Sequence, residues 1–134
     1  INSARKQILV QAYLLTSKKI ATTLIAAHQR GIDVRVLADA EQLAKVESSK
    51  IPDLAAAGIQ VWTENRYQNA HDKIIVIDAG TNDATVITGS FNFTWTAQHR
   101  NAENILIARR NPTLASRYSA NWQRHLHDSL PYKK

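Results

Sequence analysis

The sequence predicts a single α/β domain, residues 1–134, built on a mixed β-sheet with helices packed on its faces. Three observations predict it. Short apolar, β-branched runs alternate with segments of helical period, the pattern of a sheet covered by helices. Two of the runs, Ile74 to Ile77 and Thr85 to Thr88, are joined by the turn-rich Ala79 to Ala84, so at least one pair is an antiparallel hairpin. The chain of 134 residues, 44% of them hydrophobic, fits one domain with a core of moderate size.

Each element follows from local chemistry. Ser3 to Lys6 reads as the tail of a helix, and Gln7 to Leu15 as a central strand. Ser17 caps a helix from about Lys18 to Arg30, with Ile20, Leu24, Ile25 and Ala27 or His28 on one stripe and Gly31 as its stop. Asp33 to Asp39 is a strand with Val34, Val36 and Ala38 on one side. Glu41 to Ala57 is helical but broken at Ser48 to Pro52, with Pro52 opening its second half and Gly58 ending it. Ile59 to Thr63 is another strand, and a polar loop from Glu64 to Ala70 delivers the chain to His71. The hairpin follows, then a short helical turn or loop from Phe93 to Arg100 and a strand from Asn104 to Ala108. Asn111 caps a final helix that has Pro112 in its first position. In it Leu114, Tyr118, Trp122 and Leu126 form one apolar stripe. Every apolar stripe is expected to face a core.

The apolar runs are short, as in a soluble globular protein rather than a membrane span. A net charge of +6 favours anionic partners such as nucleic acid or anionic lipid heads, although a merely basic surface has the same composition. With no cysteine, disulfides and thiolate zinc sites are excluded and the redox compartment is open. No signal-peptide pattern begins the sequence, as in a processed mature chain.

The candidate chemistry begins at His71-Asp72-Lys73. On a strand His71 and Lys73 share a face and Asp72 takes the other. An imidazole beside an ammonium suits a phosphate: Lys73 brings charge, and His71 can attack or carry a proton near neutral pH. Asp78 has the other parity and is expected to be structural, closing the strand end through hydrogen bonds or a basic partner. Gly89 permits an unusual backbone or a close approach. Ser90 and Asn92, on either side of Phe91, can donate to a phosphoryl oxygen or hold its neighbours. Glu103 can hold the second nitrogen of a histidine and fix its tautomer. Trp95 and Arg100 are candidates for base stacking and phosphate contact. His125 and His127, two apart on a helix, point away from each other and cannot chelate one ion. Lys18-Lys19, Arg109-Arg110 and Lys133-Lys134 read as solvated faces.

Taken together, His71-x-Lys73-x4-Asp78, Gly89-Ser90-Phe91-Asn92 and Asn101-Ala102-Glu103-Asn104 resemble the HKD signature of the phospholipase D superfamily. The closest likeness is to its small bacterial endonucleases with one motif per chain. The resemblance covers most of the chain and implies that it lacks the family's first strand and most of its first helix. It also implies that two motifs meet about a two-fold axis, so a single-motif chain works as a homodimer. One His71 then attacks phosphorus while the other serves as acid and base. Lys73 and Asn92 bind the non-bridging oxygens, Glu103 orients His71, and Ser90 positions. No metal or other cofactor is expected, since lysines neutralise the charge. The implied substrate is nucleic acid (DNA, possibly RNA), with no stable membrane association and a periplasmic or secreted setting rather than a cytoplasmic one. A phospholipase D acting on lipid head groups and a non-catalytic basic binding module are the alternatives.

Overall fold

The computed structural model describes residues 1–65, 73–89, 93 and 105–132. Among these, one seven-stranded sheet organises the chain. The strands are β1 (Gln7–Ala12), β2 (Asp33–Asp39), β3 (Gln60–Glu64), β4 (Lys73–Ile77), β5 (Thr85–Gly89), β6 (Ile105–Ala108) and β7 (Leu130–Pro131). Their spatial order is β6-β5-β4-β1-β2-β3-β7. β1, β2 and β3 run parallel, while β4, β5, β6 and β7 each pair antiparallel with a neighbour. The sheet is therefore mixed, as the hairpin and the helical crossovers require.

Helices cover both faces. α1 (Lys18–Gln29) and α3 (Ile51–Ala56) pack Ala21, Leu24, Ala27, Ile51 and Leu54 onto one face. That face is built from Ile8, Val10, Val34, Val36, Ile75 and Ile77. α4 (Pro112–His127) covers the other, where Leu9, Leu37, Ile74, Val76 and Val86 meet Ala115 and Trp122. The two sets alternate in sequence because side chains on a strand alternate between faces. Trp122 is fully buried, donates its indole N–H to the Val10 carbonyl at 3.0 Å and meets the Trp62 ring edge-on at 6.0 Å. It thereby ties the last helix to the central strand. Leu114, Tyr118 and Leu126 line the same contact, as the four-residue repeat predicts.

The helix boundaries follow their caps. Ser17 accepts from the Ile20 N–H at 3.2 Å and Asn111 from the Leu114 N–H at 3.1 Å. Gly31 and Gly58 follow α1 and α3 at φ of 90° and 94°, where a side chain would be strained. The broken helix begins one residue early: Asp39 caps α2 (Ala40–Lys45), accepting from the Gln42 N–H.

Four expectations need correction. Ser3 to Lys6 is turns and bends, not a helix tail. The first strand stops at Ala12 rather than Leu15, because Leu15 bridges Phe93 and the N–H groups of Thr16 and Ser17 both donate to the Phe93 carbonyl. Leu130–Pro131 adds an unforeseen strand beside β3. Finally, not every apolar stripe faces the core. β6 is a sheet edge, and Ile105, Leu106 and Ile107 are 52%, 58% and 45% exposed. The remaining loop expectations, 66–70 and 94–100, fall outside the described residues.

Candidate functional site

The register gathers one end of the sheet. β1, β2 and β3 finish there at Ala12, Asp39 and Glu64, β4 starts there at Lys73, β5 finishes at Gly89 and β6 starts at Ile105. Ala12 pairs with Lys73, Ile74 with Thr88 and Gly89 with Ile105, so the last three strand ends lie side by side. In open α/β sheets the carboxyl ends of parallel strands are where ligands sit. Three stretches of the predicted motif adjoin these strand ends in sequence: His71-Asp72 precedes Lys73, Ser90 to Asn92 follows Gly89, and Glu103 lies just before Ile105.

Of the predicted site residues, Lys73, Asp78 and Gly89 are described; His71, Ser90, Asn92, Trp95, Arg100 and Glu103 lie outside the described residues. Lys73 is buried at the head of β4, on the face it shares with Ile75 and Ile77, and its ammonium lies 5.4 Å from the centre of the Tyr13 ring. A cation at that distance is attracted by the ring's quadrupole. Gly89 closes β5 at φ 142°, a backbone conformation that favours glycine.

Asp78 belongs to the opposite end. Its Oδ1 accepts the N–H groups of Arg5, Lys6 and Gln7 at 3.1, 2.7 and 3.1 Å, and its Oδ2 accepts Arg5 N–H again at 3.0 Å. Its own N–H donates to the Gln7 carbonyl at 2.8 Å, and its φ of 53° turns the chain into the hairpin. Near that end a cleft of about 490 Å³ is lined by Arg5, Ile77, Asp78, Thr85, Ile107 and Arg109 among others. Among the described residues, Lys73 does not line the cleft. It lies at the Asp78 end of β4, whereas Lys73 heads the strand at the other end.

Sequence reasoning did not foresee the contacts of three residues at the Lys73 end of the molecule. Tyr13 is one; a single tyrosine after a strand carries no motif. Glu64 and His125 are the others, 61 positions apart in the chain, with Oε1 and Nδ1 2.5 Å apart and both side chains largely buried. This pair joins the carboxyl end of β3 to α4, directly before the segment that leads to His71. His125 thus faces a carboxylate across the fold rather than pairing with His127.

Comparison with known proteins shows the family and the fold. The family model described as "Cardiolipin synthase, PLD-like domain" covers residues 1–126. The chain is 43% identical over 122 residues to a phospholipase D of Rickettsia felis, covering 91% of this chain and 58% of that protein. It is 33% identical over 105 residues to the mitochondrial cardiolipin hydrolase of Mus musculus, covering 78% of this chain and 45% of that one. The chain thus spans about half the length of these relatives. Among solved structures it is similar to Nuc from Salmonella typhimurium, a phospholipase D family member, with a TM-score of 0.88 and 34% identity. That match covers 99% of this chain and 86% of Nuc.

Proposed function

Because the chain belongs to the phospholipase D family of phosphodiesterases, we propose that it hydrolyses nucleic acid without a metal, at a site shared by two copies. One observation carries the reading. The sheet sets the strand ends at Lys73, Gly89 and Ile105 beside one another, and these flank the histidine, the Gly-Ser-x-Asn run and the glutamate of the motif. The net charge of +6 supports a polyanionic substrate.

The chemistry follows from the residues. Non-bridging oxygens repel a nucleophile and the alkoxide is a poor leaving group. In the first step a His71 nitrogen bonds to phosphorus and the phosphorus–oxygen ester bond breaks, leaving a phosphohistidine. A proton from His71 of the second copy goes to the departing oxygen. In the second step that same imidazole takes a proton from water, the water oxygen bonds to phosphorus, and the phosphorus–nitrogen bond breaks. Lys73 and Asn92 hold the non-bridging oxygens, Glu103 orients His71, and Ser90 positions its neighbours. Arg100 and Trp95 contact phosphate and base. One imidazole cannot attack and protonate the far side at once, so the reading requires a two-fold homodimer.

A lipid substrate is the second reading, and the exposed Ile105, Leu106 and Ile107 of β6 favour it, since docking on a bilayer needs an exposed apolar surface. The test incubates the protein with labelled DNA and with phosphatidylcholine vesicles in excess EDTA, comparing wild type with His71→Ala. DNA cleavage by wild type alone is expected. Complete loss of DNA cleavage under chelation removes the metal-free mechanism, and vesicle hydrolysis without DNA cleavage establishes the lipid reading. A fully active monomer in sedimentation overturns the shared site.

A further inference from the structure

We propose that Tyr13 is a positioning residue for the reaction: its ring holds the Lys73 ammonium in the direction from which Lys73 meets the substrate's phosphoryl oxygens. The inference rests on the reading of Lys73 as a phosphate-binding group. β1 and β4 are antiparallel neighbours with Ala12 opposite Lys73, so Tyr13 is the first residue beyond their last pair. It stands at the sheet end where the motif's strands converge. The Lys73 ammonium lies 5.4 Å from the ring centre, inside the range of about 6 Å over which the ring quadrupole attracts a cation. Lys73 is only 7% exposed, so little water competes for that contact.

The choice of partner has a chemical consequence. A carboxylate at the same place would cancel the lysine's charge and repel the phosphodiester. An aromatic ring attracts the ammonium without itself bringing a negative charge that would repel an incoming anion. It also restricts a four-carbon stem that would otherwise sample many rotamers. Because the charge is needed most when the transition state forms, misdirecting it lowers kcat more than it raises KM.

The test uses bis(4-nitrophenyl) phosphate in EDTA, a phosphodiester neutral as to nucleic acid or lipid. Tyr13→Phe keeps the ring and is expected within about twofold of wild type. Tyr13→Leu is expected to lose about 3- to 30-fold in kcat/KM, mostly in kcat, the range set by the strength of a partly desolvated cation–π contact. Replacing Tyr13 by pentafluorophenylalanine keeps the shape but reverses the quadrupole. It is expected to match the leucine variant, which separates ring electronics from packing even if leucine impairs folding. Wild-type kcat in the fluorinated protein overturns the proposal. Lys73→Met runs alongside: if it stays fully active the reading of Lys73 fails and the proposal with it. If it is inactive while the fluorinated protein is normal, only the role of Tyr13 fails.

Discussion

Strand β4 has a buried charge at each end, and the two make contacts of different kinds. Asp78, just past its last residue, is 5% exposed and takes four hydrogen bonds from the backbone of residues 5–7. Lys73, its first residue, is 7% exposed and lies over the face of Tyr13. Backbone N–H groups compensate a carboxylate's charge and cannot be given up without unpairing buried donors. A ring face attracts an ammonium without compensating its charge. The first arrangement ties a charge to the fold; the second adds no negative charge that would oppose an anion. Fractional burial alone, nearly equal at the two ends, does not separate structural from functional charges. The contacts described at the two ends differ in chemistry, and that difference is what substitutions at each end test.

The sharpest way to break this contrast is to remove the lysine. Lys73→Met is expected to lower kcat/KM toward a phosphodiester by about 10²- to 10³-fold, the cost of losing one group that stabilises transition-state charge. Its thermal midpoint should stay within about 3 °C of wild type, because a methionine fills the stem's volume and needs no charge desolvated. A variant that unfolds readily while the folded fraction keeps its activity would place Lys73 with the structural charges.

The complementary change is at Asp78. Asp78→Ala should cost about 2–4 kcal/mol in urea unfolding, since it strips a charged acceptor from three backbone donors. Asp78→Asn should cost less, because one oxygen remains and asparagine tolerates the positive φ. In both, kcat of the folded protein is expected within about twofold of wild type. An asparagine variant as stable as wild type would show that the carboxylate's charge is not what secures residues 5–7.

Much of this architecture was legible in the sequence. β-Branched runs and period-two alternation announced β2 and β4, and the Ser17 and Asn111 caps and the glycines after α1 and α3 set helix limits. The parity of Asp78 placed it away from Lys73. The partners it takes were not legible, because they are backbone N–H groups whose side chains carry no signal. Tyr13 and the Glu64–His125 pair were hidden for a related reason: their meaning arises only when distant strand ends are brought together. β6 misled in the opposite direction. Ile105 to Ile107 reads as core by composition, yet burial depends on strand order, and periodicity does not say which strand lies at the edge. The two-residue β7 is too short to have any period.

The smallest expected effect tests the same contrast on a charge of intermediate kind. Asp33 lies at the Asp78 end, opposite Gln7, whose backbone N–H serves Asp78 while its side-chain amide donates to Asp33 at 3.0 Å. Burial is the largest single influence on the Asp33 carboxyl and pushes its pKa up. The bonds from Gln7 and Arg35 together with the Arg35 charge outweigh it, so the group sits below the ordinary carboxylate range. A pKa depressed in the folded state gives stability that is present above the unfolded value, about 3.9, and is lost as pH falls through the folded value. The side chain is 42% exposed, so solvent screening limits the contribution to a few tenths of a kcal/mol, about a tenth of that expected for Asp78. Asp33→Asn should therefore be slightly less stable than wild type in urea at pH 7, and the gap should close as the pH is lowered toward 2. A gap that persists unchanged at low pH would mean that Asp33 contributes through its hydrogen bonds to Gln7 and Arg35 and not through its charge.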